Sequence, residues 1–161
     1  MEFSFDIKGY LKPYGKNKIG KDDLKTGFVD PFDEGSSRKR LYQGYLEYNS
    51  DLKKLLRGQK YVQWIDGSFV STQINPRDID LVNLIDYKLV NTYEKELKDF
   101  TNRSSKERYG VDGYIVRIYP EGHENYVRTK SDLIYWENWF SKSRINRRRQ
   151  RFSKGFVELE F

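Results

Sequence analysis

An α/β or α+β fold, a mixed sheet with helices packed on it, is what this sequence predicts, and three observations carry the prediction. Apolar runs of strand length occupy residues 61–65, 79–85 and 111–119, each bounded by polar or glycine-containing stretches. Between them apolar residues recur at helical spacing, most clearly at Leu41, Tyr45, Tyr48, Leu52 and Leu55. No repeat, Pro-rich stretch or Gly/Ser linker divides the 161 residues, so strands and helices belong to a single domain, 1–161.

Each element has its own reason. Phe3, Phe5 and Ile7 alternate with polar residues as a short strand does, whereas residues 9–21, rich in Gly, Lys and Tyr, read as loop. Residues 22–29 form a short helix with Leu24 and Phe28 facing inward, ended by Pro31. The helix over 41–56 is capped by Ser36 or Ser37 and followed by Gly58. The strand at 61–65 delivers Gly67-Ser68, and the strand at 79–85 carries two carboxylates. Val90, Tyr93, Leu97 and Phe100 mark another helix, followed by the strand at 111–119. Leu133, Trp136, Trp139 and Phe140 give a helix with an aromatic face that is expected to enter the core, and 156–161 is the last strand.

Composition bounds the function. A chain of this length buries roughly 70% of the surface its unfolded form exposes. With 13 Tyr, 10 Phe and 3 Trp, the core is expected to be aromatic-heavy. Absent cysteine excludes disulfides and thiolate metal sites, and a single histidine, His123 in an expected exposed loop, excludes a histidine metal cluster. No stretch has the length of a membrane span and the first residues lack the pattern of a signal peptide, so a cytoplasmic protein is expected. The formal charge of +6 suits an anionic partner such as a nucleotide, a nucleic acid or an acidic protein.

The chemistry concentrates in Trp64-Ile65-Asp66-Gly67-Ser68 and, after nine intervening residues beyond the serine, Asp78-Ile79-Asp80-Leu81-Val82. Residues i and i+2 of a strand share a face, which sets the Asp78 and Asp80 Cα atoms about 6.6 Å apart, close enough to share a divalent cation. The Gly67-Ser68 turn offers backbone N–H groups and a hydroxyl that can hold a phosphate beside that metal. A third acid, Asp112, opens a strand that otherwise reads as core. An unpaired carboxylate there is costly, so its partner is either a metal ion or a nearby Lys or Arg. Asp66 reads as a residue that orients the turn and is not counted as a ligand.

This pattern of a hydrophobic residue, Gly-Ser, a gap and Asp-hydrophobic-Asp resembles the nucleotidyltransferase signature of the DNA polymerase beta superfamily. Residues 41–56, Gly110-Val111-Asp112, Tyr135-Trp136, Phe140 and the segment from Lys154 to Leu159 are similar to a family of small bacterial nucleotidyltransferase-like proteins without an assigned function. The resemblance implies a polymerase-beta-like fold and transfer of a nucleoside monophosphate from a nucleoside triphosphate with two Mg²⁺ or Mn²⁺ ions. Asp78, Asp80 and Asp112 would hold the metals, and Gly67 and Ser68 the nucleotide. The acceptor it implies is a hydroxyl of RNA, tRNA included, of a protein, or of a small compound, within a toxin–antitoxin or phage-defence pair. The rival it leaves open is a non-catalytic module of the same fold that acts as an antitoxin or nucleic-acid-binding partner.

Two basic features flank the motif. Arg77 precedes the first aspartate and either reaches a phosphate or is solvated. Arg144, Arg147, Arg148, Arg149 and Arg151 crowd the stretch 144–151, as a solvated connection does, and also as a surface for a phosphate backbone or a triphosphate does.

Overall fold

The computed structural model describes residues 2–161. Its centre is a five-stranded mixed sheet in the order β3-β7-β4-β5-β6, formed by β3 (Gly15–Lys18), β7 (Gly155–Glu160), β4 (Val62–Asp66), β5 (Ile79–Asp86) and β6 (Val111–Ile118). β4 runs antiparallel to both β5 and β7, while β5 with β6 and β3 with β7 are parallel pairs. This is the mixed α+β architecture that the interleaved strands and helices predict.

Helices cover both faces. α1 (Lys21–Phe28) and α2 (Arg38–Leu55) bury Leu24, Phe28, Leu41, Tyr48 and Leu52 against the face bearing Ile65, Ile79, Leu81 and Ile85. Each large side chain so buried contributes about 1.5–3 kcal/mol. A hydrogen-bonded polar chain crosses this core. Tyr45 Oη donates to Gln63 Oε1, Gln63 Nε2 donates to Asn49 and Asn83, and Asn83 Nδ2 donates to Tyr48 Oη. Since every member is satisfied, the network fixes the seat of α2 on β4 and β5 at no desolvation penalty left open.

The opposite face carries α5 (Tyr126–Phe140), whose Phe140 and Trp136 pack on Trp64, Val82, Val116 and Phe156. Strand alternation places Asp80 beside Val82, Asp112 beside Tyr114, and Asp66 beside Trp64, all on this face.

Several expectations are corrected. The first strand is only β1 (Ser4–Phe5), paired with β2 (Leu11–Lys12), and Ile7 is fully exposed. Residues 9–21 are not loop throughout, because β2 and β3 lie within them. β3 has no apolar alternation and is held by backbone pairing to β7 and by Lys16 and Lys18 beside Glu158. The helix expected over 90–100 is split into α3 (Tyr87–Thr92) and a 3-10 turn (Glu96–Phe100). α4 (Asn102–Tyr109) follows, in a segment for which no helix was expected. α5's aromatic face is only partly core: Trp136 packs inward, whereas Trp139 and Tyr135 are 48% and 58% exposed. An aromatic stripe wider than the sheet can cover leaves its flank in solvent.

Candidate functional site

Sheet register assembles the site. Asp66 ends β4, Asp80 lies in the second position of β5 and Asp112 in the second position of β6, and they are direct cross-strand neighbours in one row. Asp78 lies just before β5. One oxygen each of Asp78, Asp80 and Asp112 comes within 4.8 Å of the others, all three residues being partly buried. Carboxylates that close repel unless a cation or a proton intervenes. Burial, then Asp78, Asp66 and Asp112, push the Asp80 carboxyl up to about 7, while Arg144 opposes them. Asp112 is also raised, by burial first, with Lys106 acting the other way.

The sequence left Asp112's partner open between a metal and a basic residue, and the structure puts a basic residue next door. Lys106 Nζ, from α4, lies 2.5 Å from Asp78 Oδ2. Hydrogen bonding to Asp78 and the field of Asp78, Asp112 and Asp80 hold this ammonium above its ordinary value. Asp66 has a different role from its three neighbours. Its two oxygens accept from Lys154 Nζ at 2.7 and 2.6 Å, in an almost fully buried pair. Burial drives Asp66 up to about 6, against the pull of Lys154 and a hydrogen bond from the Gly67 N–H. Being neutralised within the protein, it stands apart from the cluster that could hold a metal.

Gly67 is required where it stands. Its φ is +82°, and a Cβ on it would collide with the Asp80 carboxylate. Ser68 then opens a one-turn 3-10 helix, Ser68–Val70. The loop beyond is fixed from below by Arg38, a residue unremarked in the sequence. Its guanidinium is wholly buried and donates to the carbonyls of Phe28, Ser68, Phe69, Ser71 and Gln73. It also lies 3.8 Å from the Phe32 ring centroid. Burial lowers its pKa to about 10, so it stays charged at neutral pH, held by carbonyl dipoles and ring faces.

Two clefts meet at the carboxylates. One, of about 760 Å³, runs past Ser68, Arg77, Asp78, Lys106, Arg144 and Lys154 and is therefore strongly basic. The other, of about 290 Å³, is lined by Asp80 and Asp112 at one end and by Tyr114, Tyr135, Trp136 and Trp139 along its wall. The arginine run divides between tip and base. Arg144 lines both clefts and Arg151 the aromatic one, while Arg147, Arg148 and Arg149 are exposed at a loop tip. His123 is not simply exposed. It is half-buried against the rings of Tyr87 and Tyr119 at 4.9 and 4.8 Å, with Nδ1 accepting from the Asn125 N–H. Among the described residues no helix is long and apolar enough to cross a membrane.

A family model described as "Family of unknown function (DUF6932)" matches residues 3–160. The chain belongs to DUF6932. No curated protein and no solved structure matches it. The clustered acids of this DUF6932 member have a chemistry of their own.

That chemistry gives a signed pH effect. A carboxyl raised to about 7 in the folded state and near 3.8 when free is neutral in both states at low pH. Between those values the unfolded chain ionises first, so folding stability falls as pH rises from about 4 to 7 and levels off above. The metal-free protein is accordingly expected to lose its thermal advantage over Asp80→Asn across that window. Melting curves of both proteins at pH 5 and pH 7.5 check this, and a constant difference between them would contradict it.

Proposed function

We propose that this chain is a metal-dependent nucleotidyltransferase with a polymerase-beta-like arrangement, moving a nucleoside monophosphate from a nucleoside triphosphate to an acceptor hydroxyl. The observation that carries the reading is the convergence of Asp78, Asp80 and Asp112 within 4.8 Å beside Gly67-Ser68, with a basic cleft leading to it. The donor set suits a hard divalent cation, since it is all carboxylate oxygen and burial, with repulsion among its members, raises Asp80 and Asp112. Asp78 and Asp80 would hold one Mg²⁺ or Mn²⁺, and Asp112 with one of that pair the second. Bound there, the ions supply charge neutralisation to the attacking and leaving oxygens of an in-line displacement at the α-phosphorus.

The remaining tasks fall to side chains. Gly67 lets the backbone approach the phosphates and Ser68 offers its hydroxyl. Arg77, Lys106 and Arg144 line the basic cleft and meet the triphosphate charge there, with Lys106 moving off Asp78 as the nucleotide enters. Asp112 faces the aromatic cleft, the side from which an acceptor hydroxyl reaches the α-phosphorus. Pyrophosphate departs along the basic cleft.

Lys106 favours a second reading. An ammonium on Asp78 offsets the cluster's charge without any metal, as suits a module that binds a partner and catalyses nothing. Labelled triphosphates separate the two. With Mg²⁺ or Mn²⁺ and a cell lysate, label on the α-phosphorus is expected to appear in RNA or protein, and label on the γ-phosphorus to leave as pyrophosphate. Transfer of the γ label would contradict nucleotidyl transfer, and no transfer from any common triphosphate would select the binding module.

A further inference from the structure

The ring wall of the aromatic cleft has no task in holding metal or triphosphate, yet it borders Asp112, the carboxylate on the acceptor side. Tyr135 and Trp139 stand one helical turn apart on α5, with nearly parallel rings at 7° and centroids 6.4 Å apart. Both are about half exposed, and Trp136, tilted against Tyr114 with ring centroids 4.8 Å apart, lines the cleft with them and with Asp112. Exposed aromatic rings beside a cleft are an apolar surface that water covers poorly and a flat ring covers well.

The loop next to this surface states the charge of what covers it. Residues 141–154 fold back on themselves through backbone bonds, Ser143 N–H to Phe152 O, Asn146 N–H to Gln150 O and Lys154 N–H to Ser141 O. The Asn146 side chain accepts from the Arg148 and Gln150 N–H groups, and Arg149 takes a φ of 59° to close the tip. This built turn presents Arg147, Arg148 and Arg149 to solvent together. At its base the Arg151 guanidinium lies 5.7 Å over the Trp139 ring, so the cationic surface and the stacking surface are continuous. Stacking rings bordered by arginines that follow a phosphate backbone make up the physical apparatus for single-stranded nucleic acid, whose bases are unpaired and free to stack. An acidic protein would match the arginines but would leave the rings without flat partners.

From this we infer that the acceptor is a single-stranded polynucleotide, its terminal base stacked on Tyr135 and Trp139 and its upstream phosphates on Arg147, Arg148 and Arg149. The inference rests on the nucleotidyltransferase reading for the chemical step and on the rings and the loop for the acceptor. In that step the terminal hydroxyl oxygen forms a bond to the α-phosphorus, the bond between the α-phosphorus and its bridging oxygen to the β-phosphate breaks, pyrophosphate leaves, and the hydroxyl proton passes to solvent or to Asp112.

Binding of a short fluorescent oligonucleotide, measured by anisotropy in EDTA without triphosphate, tests the acceptor independently of any transfer. RNA and DNA strands of one sequence, a duplex, and polyglutamate serve as the probes. The single strands are expected to bind in preference to the duplex and to polyglutamate, and to quench tryptophan emission. Whichever of RNA and DNA binds more tightly identifies the sugar. Tyr135→Ala with Trp139→Ala is expected to weaken binding by roughly tenfold or more, and Trp139→Phe to restore much of it. Both side chains are exposed enough for these changes to spare the fold. Replacing Arg147, Arg148 and Arg149 by Ala is expected to reduce the slope of log affinity against log salt by about 2. Unchanged binding in the ring variant, duplex binding equal to single-strand binding, or capture of polyglutamate in place of the strands would overturn the inference. Oligonucleotide binding without nucleotidyl transfer would keep the single-strand site but overturn both its acceptor role and the catalytic reading.

Discussion

Changing Asp78 and Asp80 together to Asn is expected to lower nucleotidyl transfer by about 10³-fold or more while the metal-free protein becomes more stable. The two effects have one cause. Asp78, Asp80 and Asp112 bring oxygens within 4.8 Å of one another, and burial and mutual repulsion lift Asp80 to about 7. Amides keep the shape and some hydrogen bonding but cannot hold a hard dication, so electrostatic stabilisation of the displacement is lost; the removal of even one such stabilising group costs about 10²–10³ in rate. Without metal, the same amides relieve repulsion. The ionisation penalty on Asp80 is screened at the cleft mouth, and Lys106 loses its partner, so the net gain is expected near 1 kcal/mol. In a domain of this size that raises the melting temperature by about 2–4 °C. Activity assays beside metal-free melting curves check both signs. A variant that is inactive and also less stable in EDTA would mean that the acids hold the fold together rather than a cation.

Arg38→Met is expected to be the most damaging single change in the molecule. Methionine fills much of the volume but leaves the carbonyls of Phe28, Ser68, Phe69, Ser71 and Gln73 without their donor in a buried place. Each unsatisfied group costs about 1–3 kcal/mol, eased where water can enter, and loss of one side of a buried charged network typically costs about 3–5 kcal/mol in all. A fall in melting temperature of about 10 °C or more follows. Arg38→Lys is expected to recover part of the loss, because an ammonium keeps the charge but cannot reach carbonyls on several sides as the planar guanidinium does. Since those carbonyls belong to the turn carrying Ser68, a surviving Arg38→Lys protein is also expected to bind triphosphate less well. Urea or thermal unfolding of the three proteins checks the order, and equal stability of Met and Arg at this position would contradict the structural role.

What was legible in the sequence follows from where the information is local. β4 and β5 are largely buried on both faces and β6 in part, so all three contain apolar runs, and the acids stand out against them. Period-two alternation puts Asp78 and Asp80 together, and the improbability of an unpartnered acid at the head of an apolar strand brings in Asp112. The residues that sequence reasoning missed are those whose meaning depends on distant chain. Lys106 sits on a helix, Asn102–Tyr109, that buries only Ser105 and Tyr109 and so shows no apolar period. Lys154 meets Asp66 across 88 residues of sequence. Arg38 looks like any cation in the first turn of a helix until the loops over it are placed. β3 is an edge strand of Gly, Lys and Asn whose pairing comes from β7 rather than from its own side chains. In the arginine run, composition is uniform while position is not, since the backbone bonds of the turn decide which arginines face the clefts and which face solvent. Gly67 followed by Ser68 was legible too, but its physical basis, the Asp80 carboxylate pressed against the glycine, emerges only in three dimensions.

The central claim, that Asp78, Asp80 and Asp112 hold a divalent cation that carries a triphosphate, is tested most directly by calorimetric titration of the protein with a nucleoside triphosphate in Mg²⁺ and in EDTA. Binding is expected in Mg²⁺ and to be lost or greatly weakened in EDTA, with the metal-dependent part absent from the Asp78→Asn, Asp80→Asn protein. Equal affinity in Mg²⁺ and EDTA, or metal-dependent binding that survives in the double variant, would contradict it.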